Sequence, residues 1–266
     1  MLLGVPMRGR GEVSNEEWAV LEPLLHFRQR PDGRGRPPQD TRAVLNGVLW
    51  ILPTGAQWRE LPKKYPPYQT CHRRFQQWVR SGQLNKALRA LARELHGHGL
   101  LPLEAGLLDG TFASAKCEKG GLAVGPTKRG KGTKIMAIAA VTSLPLAVTV
   151  DSASPHETKL VEETLAGSFL DELPARLIGD RAYDSDPLDR RLERDYGIEL
   201  IAPNRENRSQ TQDGRELRRY KRRWCVERLF AWLQWFRRLV TRYEYHIENF
   251  LGMVRLGCMR IMLRYL

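Results

Sequence analysis

The sequence predicts an α/β domain, a mixed sheet covered by helices, standing behind an all-helical unit. Three observations predict it. Apolar residues recur at helical spacing through residues 1–100. From about residue 103 the period shortens to two, in β-rich runs bounded by turn residues. Beyond residue 155 helical and strand patterns alternate, the order of a sheet with helices laid on it. The junction near 100–104 divides the chain into 1–100 and 101–266.

In the helical unit, Ser14 with Glu17 three residues on gives a capping-box pattern, and Trp18, Leu21, Leu24 and Leu25 mark one face. A breaker-rich basic loop, R-P-D-G-R-G-R-P-P, leads to a helix from Asp40 to Leu52 that Pro53 and Gly55 end. The turn T-G-A-Q-W-R-E-L-P sends Trp58 and Leu61 toward the core. Helix 69–81 sets Phe75, Trp78 and Val79 on one side, and a helix over 84–97 completes the unit. Strands then read at 103–109, 112–116, 134–142, 146–151, 176–179 and 198–202. Helices are expected at 157–171, 184–196, 216–240 and 247–266.

The 266 residues, 42% apolar and 27% charged, supply a sizeable core. The four cysteines lie far apart with no Cys-x-x-Cys pair, which points away from a zinc framework or a secreted disulfide scaffold and toward a reduced cytosol. No apolar run approaches the roughly 18–20 residues of a membrane span. The start, M-L-L-G-V-P-M-R-G-R, does not read as a signal peptide, and Met7 is a second possible initiator. The net charge of +13 is uneven: residues 1–100 carry +8, 101–204 carry −4 and 205–266 carry +9. Two basic flanks around an acidic middle suit a protein that grips a polyanion and does cation-assisted chemistry at its centre.

Three carboxylates stand in telling places. Asp109 ends a predicted strand before Gly110, Asp180 ends another, and Glu227 lies within the long helix. Such side chains can converge into an all-oxygen pocket suited to Mg²⁺ or Mn²⁺. Singly, each has an ordinary reading: an Asx turn for Asp109, a pair with Arg181 for Asp180, and an i,i+4 pair with Arg223 for Glu227.

The ordered motifs N-G-V-L-W-I-L-P-T-G-A-Q-W-R-E-L-P (46–62), L-D-G-T (108–111), G-D-R-A-Y-D-S (179–185) and W-C-V-E-R-L-F-A-W-L (224–233), with F-R-R-L-V-T-R-Y-E (236–244), carry a resemblance. From about Glu16 onward the chain resembles the DDE-class transposases of bacterial insertion sequences, in the IS-five group. The resemblance implies a ribonuclease H-like mixed five-stranded sheet flanked by helices, preceded by an all-helical DNA-binding domain. It also implies that Asp109, Asp180 and Glu227 form the catalytic metal triad, with two Mg²⁺ ions that Mn²⁺ can replace. The implied reaction is hydrolysis at inverted-repeat transposon ends to free a 3′-OH, then transesterification of that hydroxyl into target DNA. A homodimer on paired ends, in the bacterial cytoplasm at the nucleoid, is the implied setting. The family pattern Tyr-x2-Arg-x3-Glu-x6-Lys maps onto Tyr220, Arg223 and Glu227 but meets Gln234 at its last place, and Pro53 stands where relatives tend to carry Arg. Residues 203–216 leave no room for the large β insertion of some relatives. Two other outcomes stay open: a catalytically silent DNA-binding derivative, and a nuclease without strand transfer.

The basic groups divide by job. Arg181, Tyr183 and Arg223 either position the scissile phosphate or orient the carboxylates. Lys128, Arg129, Lys131 and Lys134 form a Gly-spaced loop for phosphate contact, or a solvated hairpin. Arg73, Arg74, Gln76, Gln77 and Arg80 make helix 69–81 either a major-groove reader or a structural helix, and Arg34 with Arg36 resembles a minor-groove arm. His96 and His98, two apart, share no helical face, and His156–Glu157 reads as a helix start rather than a fourth ligand. Trp224, Phe230, Trp232, Trp235 and Phe236 read as helix packing. The apolar residues from Met253 to Leu263 read as core or a dimer face.

Overall fold

The computed structural model describes residues 12–25, 37–117, 121–128, 130–205 and 222–266. Its first block is helical. In α1 (Asn15–Leu25) the capping box closes both ways: Ser14 N–H donates to Glu17 Oε2 at 2.8 Å, and Ser14 Oγ accepts from Glu17 N–H at 3.1 Å. Helix α2 (Thr41–Thr54) starts on Asp40, whose carboxylate accepts from Ala43 N–H. It continues through Pro53 into one more residue, and Gly55, at φ +66°, returns its N–H to Ile51 O. The glycine cap, not the proline, is the stop. In α3 (Tyr68–Arg80) Cys71, Phe75 and Trp78 face inward, and α4 (Gln83–Gly97) follows.

The second block is built on β1 (Gly106–Ala115), β2 (Gly125–Thr127), β3 (Gly130–Ala140), β4 (Pro145–Ser152), β5 (Arg176–Ile178), β6 (Glu199–Ile201) and β7 (Thr241–Arg242). Its spine runs β4-β3-β1-β5-β6: β3 is antiparallel to β1 and β4, whereas β5 lies parallel to β1 and β6. This is the ribonuclease H-like arrangement, and β2 and β7 add short pairings to β3 and β1. The runs at 103–109 and 112–116 are one strand, because Gly110 is not a turn. A Cβ there would come within 2.9 Å of Met136 Sδ and 3.0 Å of Glu157 Oε1, so glycine serves a close approach inside β1.

Helices α5 (Val161–Ala166) and α6 (Asp186–Tyr196) follow β4 and β5. The predicted helix 157–171 is thus a 3-10 turn, Glu157–Lys159, plus α5; Ser168 leaves it to bridge Ala147. Of the predicted helix 216–240, residues 216–221 lie outside the described residues. The remainder is α7 (Trp224–Gln234) and α8 (Arg237–Val240), parted at Phe236 by extended backbone. That break lets Arg238 reach across to Ala56 O at 3.1 Å.

Helix α9 (Ile247–Met262) lies between the blocks, touching α2, α3 and α4 as well as β4, α7 and α8. A Cβ on Gly252 would stand 2.5 Å from Val79 Cγ2 and 3.0 Å from Phe75 Cζ, so α3 and α9 cross closely. One apolar core runs from Val13 to Leu263, and Met253, Val254, Leu256, Met259 and Met262 belong to it. Of the two readings of that helix, core is the one observed. Among the described residues no helix is long and apolar enough to cross a membrane. All four cysteines are free.

Candidate active site

On the side away from β3, β1 pairs with β5 only at Gly106 and Leu107, and with β7 only at Ser114 and Ala115. Between them, among the described residues, no strand covers that side, and Asp109 lies in the gap. Its Oδ1 accepts from Gly110 N–H at 2.8 Å. Asp180 follows β5 and caps the 3-10 turn Arg181–Tyr183, its Oδ1 accepting from Ala182 N–H at 2.7 Å. Arg205 braces the turn from outside, donating to Arg181 O and Ala182 O. Glu227 stands in the first turn of α7.

The three acids meet at Arg223. Its guanidinium is 3.8 Å from Asp109 Oδ2, 3.8 Å from Asp180 Oδ2 and 3.1 Å from Glu227 Oε1. The i,i+4 pair read from the sequence therefore forms, and the same guanidinium also faces Asp109 and Asp180. Burial pushes the Asp109 carboxyl up to about 6; the Gly110 N–H and Arg223 oppose this, and the charges of Glu157 and Asp180 add to it.

A fourth acid, Glu157, closes the other side. It accepts from the Tyr183 hydroxyl at 2.9 Å, and Lys134 Nζ lies 3.9 Å away. Tyr183 is fully buried, and burial with the nearby carboxylates pushes its phenol far above the usual range, so it stays a donor. In the sequence Glu157 reads as a helix start in preference to a fourth ligand; no spacing rule ties it to Asp109. Its one trace in the sequence is Gly110, whose missing side chain makes room for it.

As they stand, no three acidic, histidine or cysteine side chains among the described residues are close enough to chelate one ion, because Arg223 lies between the acids. The donor chemistry nevertheless fits a hard divalent cation. All the donors are carboxylates, and burial disfavours the charge of Asp109 even with Arg223 facing it. One turn beyond Glu227 a cavity of about 180 Å³ opens beside Thr111, Phe112 and Phe230, with Gln234 on its wall.

Residues 101–262 match the family model "Transposase DDE domain", well over half of the chain. The chain belongs to the DDE transposase family. Residues 13–88 also match the model "Putative transposase of IS4/5 family". An uncharacterized protein of Sinorhizobium fredii is 30% identical over 103 residues, 39% of this chain and 74% of the relative. A 16.2 kDa insertion element IS402 protein of Burkholderia cepacia is 30% identical over 107 residues, 39% of this chain and 73% of the relative. A second Burkholderia cepacia relative, "Putative transposase for insertion sequence element IS402", is 41% identical over 85 residues, 32% of this chain and 37% of its own length. Membership associates the chain with DNA binding, DNA transposition and a family that generally uses divalent metal ions.

The chain presents its basic groups unevenly. Arg73, Gln77 and Arg80 form an exposed stripe on α3 at i, i+4 and i+7. Arg74 does not join them: it is only 7% exposed, turned inward beside Phe75 and Trp78, which corrects its assignment to a groove-reading face. Lys128 and Lys131 are exposed around the β2–β3 turn, whereas Arg129 lies outside the described residues. Lys134 is corrected too. It sits within β3, buried, donating to Pro155 O at 2.6 Å with its ammonium over the Phe112 ring. Arg181 is exposed; Tyr220, Arg34 and Arg36 lie outside the described residues. Phe230, Trp232 and Phe236 are packed as read, but Trp224 and Trp235 are about half exposed, with Arg228 over the Trp224 ring. His96 bonds Leu101 O and His98 faces Glu94, each with its own partner.

Proposed function

We infer that this transposase binds the terminal inverted repeats of its element as a homodimer on paired ends. It hydrolyses one phosphodiester to free a 3′-OH and joins that hydroxyl to target DNA. The observation that carries this reading is the meeting of Asp109, Asp180 and Glu227, from a strand, a 3-10 cap and a helix, around one guanidinium.

Asp109, Asp180 and Glu227 would hold Mg²⁺, with Mn²⁺ as a substitute and two ions per site. Bound there, the ions supply an activated water and charge stabilisation at both ends of an in-line displacement. The chain's own groups do the positioning. The cap on Ala182 N–H fixes Asp180, leaving its second oxygen toward the site. Arg223, released from the acids, is placed to meet a scissile phosphate, and exposed Arg181 stands at the same rim. The α3 stripe of Arg73, Gln77 and Arg80 faces outward to read a groove, while Lys128 and Lys131 supply phosphate contacts.

The test is incubation of the purified chain with labelled duplexes of its own element's ends, with Mg²⁺ or with EDTA, scored for nicking and for joining. Nicking and joining in Mg²⁺ alone, lost in Asp109→Ala, Asp180→Ala and Glu227→Ala with end binding retained, is the expected result. A variant without all three acids that cuts at the wild-type rate would remove the assignment. Nicking without joining would leave a nuclease, and binding alone a silent derivative.

A further inference from the structure

Asp109 lies within β1 and Asp180 just beyond β5, and a chain of side chains spans the distance between their neighbours. Tyr183 ends the turn that Asp180 caps, and its ring lies against Gly179, where a Cβ would come within 2.6 Å of Cδ2. The Tyr183 hydroxyl donates to Glu157 Oε2 at 2.9 Å. The other oxygen of Glu157 rests against Gly110, the neighbour of Asp109, 3.0 Å from where a Cβ would be. Lys134, held by Pro155 O at 2.6 Å, supplies the counter-charge 3.9 Å away.

The direction of approach matters. Side chains alternate along β1, so Gly110 shares a face with Met136, and Asp109 points to the opposite face. Glu157 therefore reaches β1 from behind the acid it adjoins. One of its oxygens is taken by a phenol and the other lies between a lysine and the strand backbone.

We propose that the Tyr183–Glu157 hydrogen bond is a spacer that sets the separation of Asp109 and Asp180, which makes both residues positioning residues for the reaction. The inference rests on the transposase reading above. It assigns Glu157 a mechanical duty through its hydrogen bond, not a ligand's duty through its charge. The geometry behind it is a single path: Asp180 turn, Tyr183 ring, Glu157 carboxylate, Gly110, Asp109.

The test uses the full chain and four variants: Tyr183→Phe, Glu157→Ala, Glu157→Gln and the double Tyr183→Phe/Glu157→Ala. Two readouts are needed, the kinetics of end cleavage and Mn²⁺ binding without DNA, followed by electron paramagnetic resonance. Tyr183→Phe and Glu157→Ala should each lower kcat by ~10- to 100-fold, as misplaced reacting groups do, and each should weaken Mn²⁺ binding. KM for the DNA ends should stay within about two-fold. The double variant should be no worse than either single one, since both cut the same link. Glu157→Gln, whose amide can still bond the hydroxyl, should recover most of what Glu157→Ala loses.

A wild-type Tyr183→Phe overturns the spacer, as does a Glu157→Gln as poor as Glu157→Ala, which would make charge the active property. Losses that add in the double variant overturn it too. If Glu157→Ala does not fold, Tyr183→Phe against Glu157→Gln decides alone, because both keep the native shape. A wild-type chain that neither cleaves ends nor binds Mn²⁺ removes the transposase reading and the spacer together. Cleavage by wild type with equal cleavage by Tyr183→Phe removes the spacer only.

Discussion

Arg223 Nη2 lies 3.8 Å from Asp109 Oδ2, near enough to attract and too far for a hydrogen bond. The same guanidinium faces Asp180 and Glu227, so one cation answers three anions. Removing it frees a cluster of negative charge. Arg223→Ala should tighten Mn²⁺ binding by the DNA-free chain, on the order of ten-fold, while cleavage of ends falls. Mn²⁺ titration against wild type checks this; unchanged or weaker binding would show that the arginine does not compete for the place of the ion.

The buried Asp109 carries a pH signature. Its carboxyl is raised to about 6, chiefly by burial, so the folded chain holds the proton more tightly than the unfolded chain. The stability it contributes is fully present below about pH 4 and is lost as pH rises through about 6. In EDTA, Asp109→Asn should therefore be more stable than wild type at pH 7.5, by up to about 3 kcal/mol, with little difference near pH 3.5. Urea unfolding at the two pH values measures it. A less stable Asp109→Asn at pH 7.5 would mean that Arg223 already compensates the charge.

Arg242 is a fully buried cation with five acceptors: Leu122 O, Ala123 O, Thr133 Oγ1, Glu244 O and Tyr245 O. It ties the approach to the β2–β3 turn to the segment after β7. Arg242→Ala removes five donated hydrogen bonds from the interior and should cost about 3–5 kcal/mol. Arg242→Lys should recover little, since one ammonium cannot span the fork. Urea midpoints report the loss, and faster protease cutting within 121–128 should accompany it.

The α3 helix separates two kinds of arginine. Arg73→Ala with Arg80→Ala should weaken binding to DNA and lower the slope of log K against log salt by about 2, with melting unchanged. Arg74→Ala should do the reverse, lowering stability and leaving the salt slope alone, because that side chain is packed inward. Filter binding across a salt series distinguishes them, and equal slopes for wild type and the Arg73/Arg80 pair would remove α3 from the DNA interface.

How far the sequence could be read follows from the range of each force. The capping box at Ser14–Glu17 and the Gly55 stop are contacts within four residues, and both are written locally. The strand-and-helix order is periodicity, and it was legible for the same reason. Gly110 misled because a glycine that yields to a distant carboxylate looks the same, in one dimension, as a glycine that turns. Glu157 was missed for the matching cause: its partners, Tyr183 and Gly110, are 26 and 47 residues away. Arg74 and Lys134 were assigned by charge, and only packing reveals that their heads point inward.

Helix α9 has an evolutionary consequence. Its small-residue crossing at Gly252 is fitted to Val79 and Phe75 of the helical block, while its other contacts belong to the sheet. A foreign first block would have to reproduce that close fit for the seam with α9 to seal. On the groove-reading role proposed for α3, changes in the DNA sequence recognised would fall on its outward stripe, residue by residue, while the joint behind it stays fixed.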